Sequence, residues 1–168
     1  MEVRMSVPCE LRANVPLRQD TAKTPLAPAG RLGYALARNL IMTTKSIVRP
    51  AQGAAPVGPY SHAVRVGDLL FCSGQIPLDP ATGSLVAGDI RGQTERVLEN
   101  VRAILEDQRL TFAHVVKTTV FLTNLGDFAA MNEVYARYFT QDYPARSTVQ
   151  VAALPKGATV EIEVIAHY

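Results

Sequence analysis

Along residues 43–168 the apolar positions follow two different periods, and each change of period marks an element. Ser46–Val48 predicts a short strand, followed by a Gly/Ala/Pro loop through Gly53, Pro56, Gly58 and Pro59. Ala63, Val64 and Val66, then Leu69–Cys72, predict two strands joined at the Gly67-Asp68 turn. Gln75–Gly88 holds Pro77, Pro80, Gly83 and Gly88 and reads as a loop. The spacing then lengthens. Ile90, Thr94, Val97, Leu98, Val101, Ile104 and Leu105 form the stripe of an amphipathic helix, with Asp89 placed to cap its start. Val115–Leu122, β-branched and aromatic, predicts a strand. Asp127 precedes a second helical stripe of Phe128, Met131, Asn132, Tyr135, Tyr138 and Phe139, which Tyr143-Pro144 stops. Two last strands, about Ser147–Ala153 and Thr159–Ala166, flank the Pro155-Lys156-Gly157 turn.

The order β–ββ–α–β–α–ββ predicts an α+β fold, a two-layer sandwich of one mixed sheet with two helices on one face. The other sheet face then carries apolar residues with nothing over them, which predicts an oligomer.

Residues 1–41 show neither period and contain Pro8, Pro16, Pro25 and Pro28. Such a segment buries too little apolar surface to offset its ordering entropy. Three readings are open: an Arg-rich organelle transit peptide, a secretory signal, or a disordered tail ahead of a start at Met42. Three acidic residues and four prolines count against the first, and the lack of a central apolar run against the second. The expectation is a disordered extension over 1–42 and one domain over 43–168. The chain is placed in the cytoplasm, or in the mitochondrion if the extension is a transit peptide.

Charge sharpens this division. The 168 residues carry a net charge of +2, but residues 1–41 hold six basic and three acidic side chains. The remainder holds 11 basic and 12 acidic ones, so the basic excess lies in the extension. The domain itself has no positive field suited to a phosphate backbone, and no nucleic-acid partner is expected. No unbroken apolar stretch is long enough for a membrane span. Cys9 sits in the extension and Cys72 in an apolar run, so no disulfide between them is expected. His62, His114 and His167 are far apart, and neither a metal site nor a cofactor is expected.

Four polar or aromatic positions remain as candidates for chemistry. Arg146 follows Pro144-Ala145 at the start of a strand, where its planar fork suits a carboxylate, although strand-end arginines are usually just solvated. Glu161 and Glu163 alternate with Val160, Ile162 and Val164 and so share the opposite sheet face. They fit either the solvent side of an edge strand or a carboxylate that orients a water. Tyr60, in Gly58-Pro59-Tyr60, stands where an aromatic ring walls a pocket or simply packs.

The stretches GPYSHAV (58–64), SGQIPLDPATG (73–83), VVKTTVFLTNLGDFAAMNEVYARYF (115–139) and PARSTVQVAALPKGATVEIEVIA (144–166) closely resemble the RidA/YjgF family. The likeness runs from about residue 43 to the C-terminus. It implies a chorismate-mutase-like α+β fold and a homotrimer with clefts between subunits. It also implies hydrolysis of enamines and imines of 2-oxo acids, such as 2-iminobutanoate, to the 2-oxo acid and ammonia. Carried over residue by residue, it gives Arg146 the substrate carboxylate and Glu161 the attacking water. Tyr60 and Asn132 line the pocket, and Gly74 offers backbone hydrogen bonds. Thr148 stands where the family often has cysteine, which removes any role for a thiol there but leaves a hydroxyl to bond a ligand. Two other readings stay open: an RNA-cleaving translation inhibitor, and a non-catalytic module that binds a 2-oxo acid.

Overall fold

The computed structural model describes residues 44–53 and 55–168; the expectations for residues 1–42, Cys9 included, lie outside them. Six strands form one mixed sheet: β1 (Ser46–Val48), β2 (Ala63–Val66), β3 (Leu69–Gln75), β4 (Val115–Leu122), β5 (Ala145–Gln150) and β6 (Val160–His167). Among the described residues two α-helices, α1 (Ile90–Asp107) and α2 (Phe128–Tyr138), complete the α+β fold. The strand order is β1-β2-β3-β6-β4-β5. All neighbours are antiparallel except β4 and β5, which are parallel because α2 carries the chain back between them.

Local chemistry accounts for the element ends. Asp89 caps α1, its Oδ1 accepting from the Gly92 amide at 3.0 Å. Asp127, which precedes α2, makes no side-chain cap bond and has helical backbone angles. The strand at residue 69 continues through Gly74 to Gln75 instead of stopping at Cys72, and its register against β6 shifts between Cys72 and Gln75. β5 begins two residues earlier and ends three earlier than its apolar pattern predicts. The parallel pairing accounts for this: it starts at Lys117 with Ala145 and ends at Leu122 with Gln150, after which Val151 only donates to the Leu122 carbonyl.

Thr118, Val120 and Leu122 of β4 share a face with Val164, Ile162 and Val160 of β6, their register partners. Those side chains are buried in one cluster with Val97, Leu98, Val101, Ile104 and Leu105 of α1 and Met131, Val134 and Tyr135 of α2. The alternate positions point the other way and leave Ile47, Val66, Leu69, Phe71 and Val149 exposed. Cys72 lies on the core side, its thiol pushed up to about 12 by burial, which makes it inert as a nucleophile. Asn100, buried on α1, donates to the carbonyls of Ile76 and Leu78 and pins the loop that leaves β3.

Candidate functional site

The residues singled out in the sequence fall into two groups on opposite faces of the sheet. Glu161 and Glu163 lie on the open face, as the alternation predicts, paired with Phe121 and Thr119 of β4. Their strand is not an edge, however, because β6 runs between β3 and β4 in the middle of the sheet. Tyr60, Ser73, Gly74, Ile76, Pro155 and both glutamates line one cleft of about 350 Å³.

That cleft is assembled from local rules. Ser73 holds the preceding loop, its amide donating to the His62 carbonyl and its hydroxyl to the Ser61 carbonyl at 2.7 Å. The Tyr60 ring folds over Gly58, and its hydroxyl accepts from the Val57 amide at 3.2 Å. Gly74 leaves the space that the Glu161 carboxylate occupies: a Cβ there would stand 2.7 Å from Cδ and 3.0 Å from Cγ of Glu161. Burial raises the Glu161 carboxyl above its usual value, and the charge of Glu163 raises it further. Gly74→Ala is therefore expected to push the Glu161 carboxylate aside with little harm to the fold. An almost unchanged Tm, read by calorimetry, is the outcome that checks it.

The second group lies on the core side. Arg146 and Thr148 of β5 pair with Thr118 and Val120 of β4, so both point toward the face that bears the helices. Arg146 lines a cleft of about 340 Å³ with Asn132, Tyr135, Ala136, Tyr143 and Pro144. No ion pair to Arg146 occurs among the described residues. Its guanidinium instead lies 4.6 Å from the Tyr135 ring centroid and 5.6 Å from that of Phe128. Burial raises the Tyr135 phenol, while its bond with Thr118 and the nearby guanidinium work against that rise. The Thr148 hydroxyl oxygen is buried without a hydrogen-bond partner, and Thr148 does not itself line this cleft.

Within one chain, then, Tyr60, Gly74 and Glu161 come together, and Asn132 comes together with Arg146. The two sets do not meet. Sequence reasoning passed over Tyr135 and Phe128 as site residues, because both belong to the helical stripe that reads as core packing. None of the three histidines lines either cleft. Among the described residues no group of His, Cys, Asp and Glu is placed to hold a metal, and no helix is long and apolar enough to cross a membrane.

Comparison with known proteins agrees with the motifs. The family model Endoribonuclease L-PSP matches residues 51–168. A Myxococcus xanthus protein, DfrA, is 56% identical over 124 residues, spanning 73% of this chain and 95% of its own. A Capra hircus protein named 2-iminobutanoate/2-iminopropanoate deaminase is 46% identical over 122 residues, spanning 73% of this chain and 89% of its own. The crystal structure of RidA from the Antarctic bacterium Psychrobacter sp. PAMC 21119 superposes with a TM-score of 0.71 at 46% identity, over 73% of this chain and 99% of that one. With the PARS, SGQ and EIE segments all in place on that fold, the chain belongs to the RidA/YjgF family, the same family that the L-PSP model describes.

Proposed function

We propose that residues 43–168 form an imine deaminase that hydrolyses 2-iminobutanoate, 2-iminopropanoate and related imines of 2-oxo acids in clefts between the subunits of a homotrimer. The observation that carries this reading is the placement of Arg146 and Glu161 on opposite faces of one sheet. A site that needs both is completed only when the open face of one copy meets the Arg146 side of the next. The exposed apolar residues Ile47, Val66, Leu69, Phe71 and Val149 supply the reason for such contact. In this reading the subunit is a two-layer, chorismate-mutase-like sandwich whose uncovered face is buried by its neighbours.

The chemistry follows from the two half-sites. Arg146 grips the substrate carboxylate through two N–H donors and converts a collision into a held orientation. Asn132 and the Thr148 hydroxyl add hydrogen bonds on the same side, and Tyr60 closes the other. The Glu161 carboxylate accepts a proton from a water and aims its oxygen at the C=N carbon. The new C–O bond forms as the nitrogen takes up a proton. The hydroxyl proton of this addition product then passes to the nitrogen, and the C=O bond forms as the C–N bond breaks, releasing ammonia and leaving the 2-oxo acid. Uncatalysed hydrolysis of such imines is already fairly quick, so positioning plus one charge-assisted pair is enough in kind. The relative named as a deaminase supports the choice of substrate, and the absence of histidines from both clefts weighs against acid–base cleavage of RNA.

Subunit complementation tests this directly. Arg146→Ala and Glu161→Gln chains are each expected to be nearly inactive. If they are unfolded, mixed in equal amounts and reassembled, about a quarter of the clefts receive an intact half from each parent. Activity should return to roughly that fraction of wild type. No recovery from mixed trimers verified by native mass spectrometry would sink the shared cleft.

A further inference from the structure

We propose that Tyr135 and Phe128 are positioning residues that hold the Arg146 guanidinium in place of a protein carboxylate and so leave its charge unpaired for the substrate's. This rests on Arg146 being the carboxylate anchor.

An arginine has a long flexible stem, and a half-buried one is commonly fixed by a nearby carboxylate. At this position such a partner would compete with the substrate for the same donors. None is present among the described residues. Aromatic faces solve the problem differently. The ring quadrupole attracts the cation without a counter-charge, and the Tyr135 hydroxyl, which also bonds the Arg146 side chain, is a neutral partner for one of five donors.

The rings are themselves held. Tyr135 is only 5% exposed, its hydroxyl lies 2.9 Å from Thr118 Oγ1, and Thr118 is fully buried. The Tyr135 ring also stacks on Phe139 at 4.3 Å between centroids, with the planes 23° apart. Phe128, Asn132 and Tyr135 are spaced four and then three residues apart on α2. They therefore share one helix face, so the helix that supplies Asn132 to the cleft also supplies both rings against Arg146. One rigid element thus sets the distance between the anchoring cation and the neighbouring amide.

The test measures 2-oxobutanoate affinity by calorimetry on the assembled full-length chain, with assembly and Tm recorded for every variant. Tyr135→Leu is expected to weaken binding about tenfold, and Phe128→Leu about threefold. Tyr135→Phe, which keeps the ring, should stay within about twofold of wild type. A double-mutant cycle separates positioning from packing. In an Arg146→Lys background the ammonium has no planar face to stack, so Tyr135→Leu should cost less than about threefold. An equal loss in both backgrounds would mean that Tyr135 only packs, and would overturn the proposal. Wild-type affinity in Tyr135→Leu and Phe128→Leu, alongside weakened binding in Arg146→Ala, would overturn it while sparing the anchor. Undiminished affinity in Arg146→Ala would remove the anchor and this proposal together. Should Tyr135→Leu fail to assemble, Phe128→Leu decides alone, since Phe128 is 39% exposed and replaceable without a hole in the core.

Discussion

Arg146→Ala is expected to lower kcat/KM for imine hydrolysis by about a thousandfold, roughly 4 kcal/mol of lost transition-state stabilisation. The size follows from what the side chain does. A carboxylate desolvated in a cleft and held by two charge-assisted hydrogen bonds loses both of them, and the charge left behind is unpaired. The fold should barely register the change. Arg146 makes no ion pair among the described residues, and its loss removes its contacts with the Tyr135 and Phe128 side chains, worth about 1 kcal/mol. Release of 2-oxo acid from 2-iminobutanoate, generated in situ by a dehydratase, gives the rate, and a thermal scan gives the stability. A variant with near-wild-type turnover would show that some other group holds the carboxylate. Arg146→Lys should fall in between, since it keeps the charge but loses the fork.

Glu161→Gln should produce the second-largest effect, a fall in kcat of about a hundredfold with 2-oxobutanoate affinity preserved. Glutamine fills the same space over Gly74 but cannot take a proton from water. The pH behaviour separates this from a packing defect. Burial, and then the charge of Glu163, raises the Glu161 carboxyl above its usual value of 4.5. A carboxyl raised in the folded chain contributes its stability below the usual value and loses it as pH climbs through the raised one. At neutral pH the ionised group therefore opposes folding. Glu161→Gln should have the higher Tm there and converge on wild type in acid. Activity runs the other way, because water activation needs the ionised form. The acid limb of kcat/KM should lie above 4.5 in wild type, vanish in Glu161→Gln and move to lower pH in Glu163→Gln, which removes the neighbouring charge. A Glu161→Gln variant with full turnover would leave a binding module as the better description.

Much of this was legible in the chain, because the relevant signals are local. The stripe from Ile90 to Leu105 and the run Val115–Leu122 report their own periodicity, and the structure places α1 and β4 over them. The alternation of Val160, Ile162 and Val164 with Glu161 and Glu163 specifies by strand geometry alone that both glutamates leave the core. Four stretches, 58–64, 73–83, 115–139 and 144–166, carried the resemblance to the family that the comparisons show.

Other features depend on partners distant in sequence, and only the tertiary structure decided them. Whether β6 lies at an edge or in the middle depends on its neighbours β3 and β4, and no property of residues 160–167 encodes that. Arg146 stood out in the sequence as a candidate carboxylate ligand, but the face it points to is set by its register with Thr118 across a parallel pair. That register places it against Tyr135 and on the opposite side of the sheet from Glu161. Gly74 gave no sign of standing beside the Glu161 carboxylate until β3 and β6 were paired across their register shift. Periodicity is written residue by residue, and motifs are read directly from it. The separation of the two half-sites arises from pairings between segments dozens of residues apart, so it exists only once the sheet has formed.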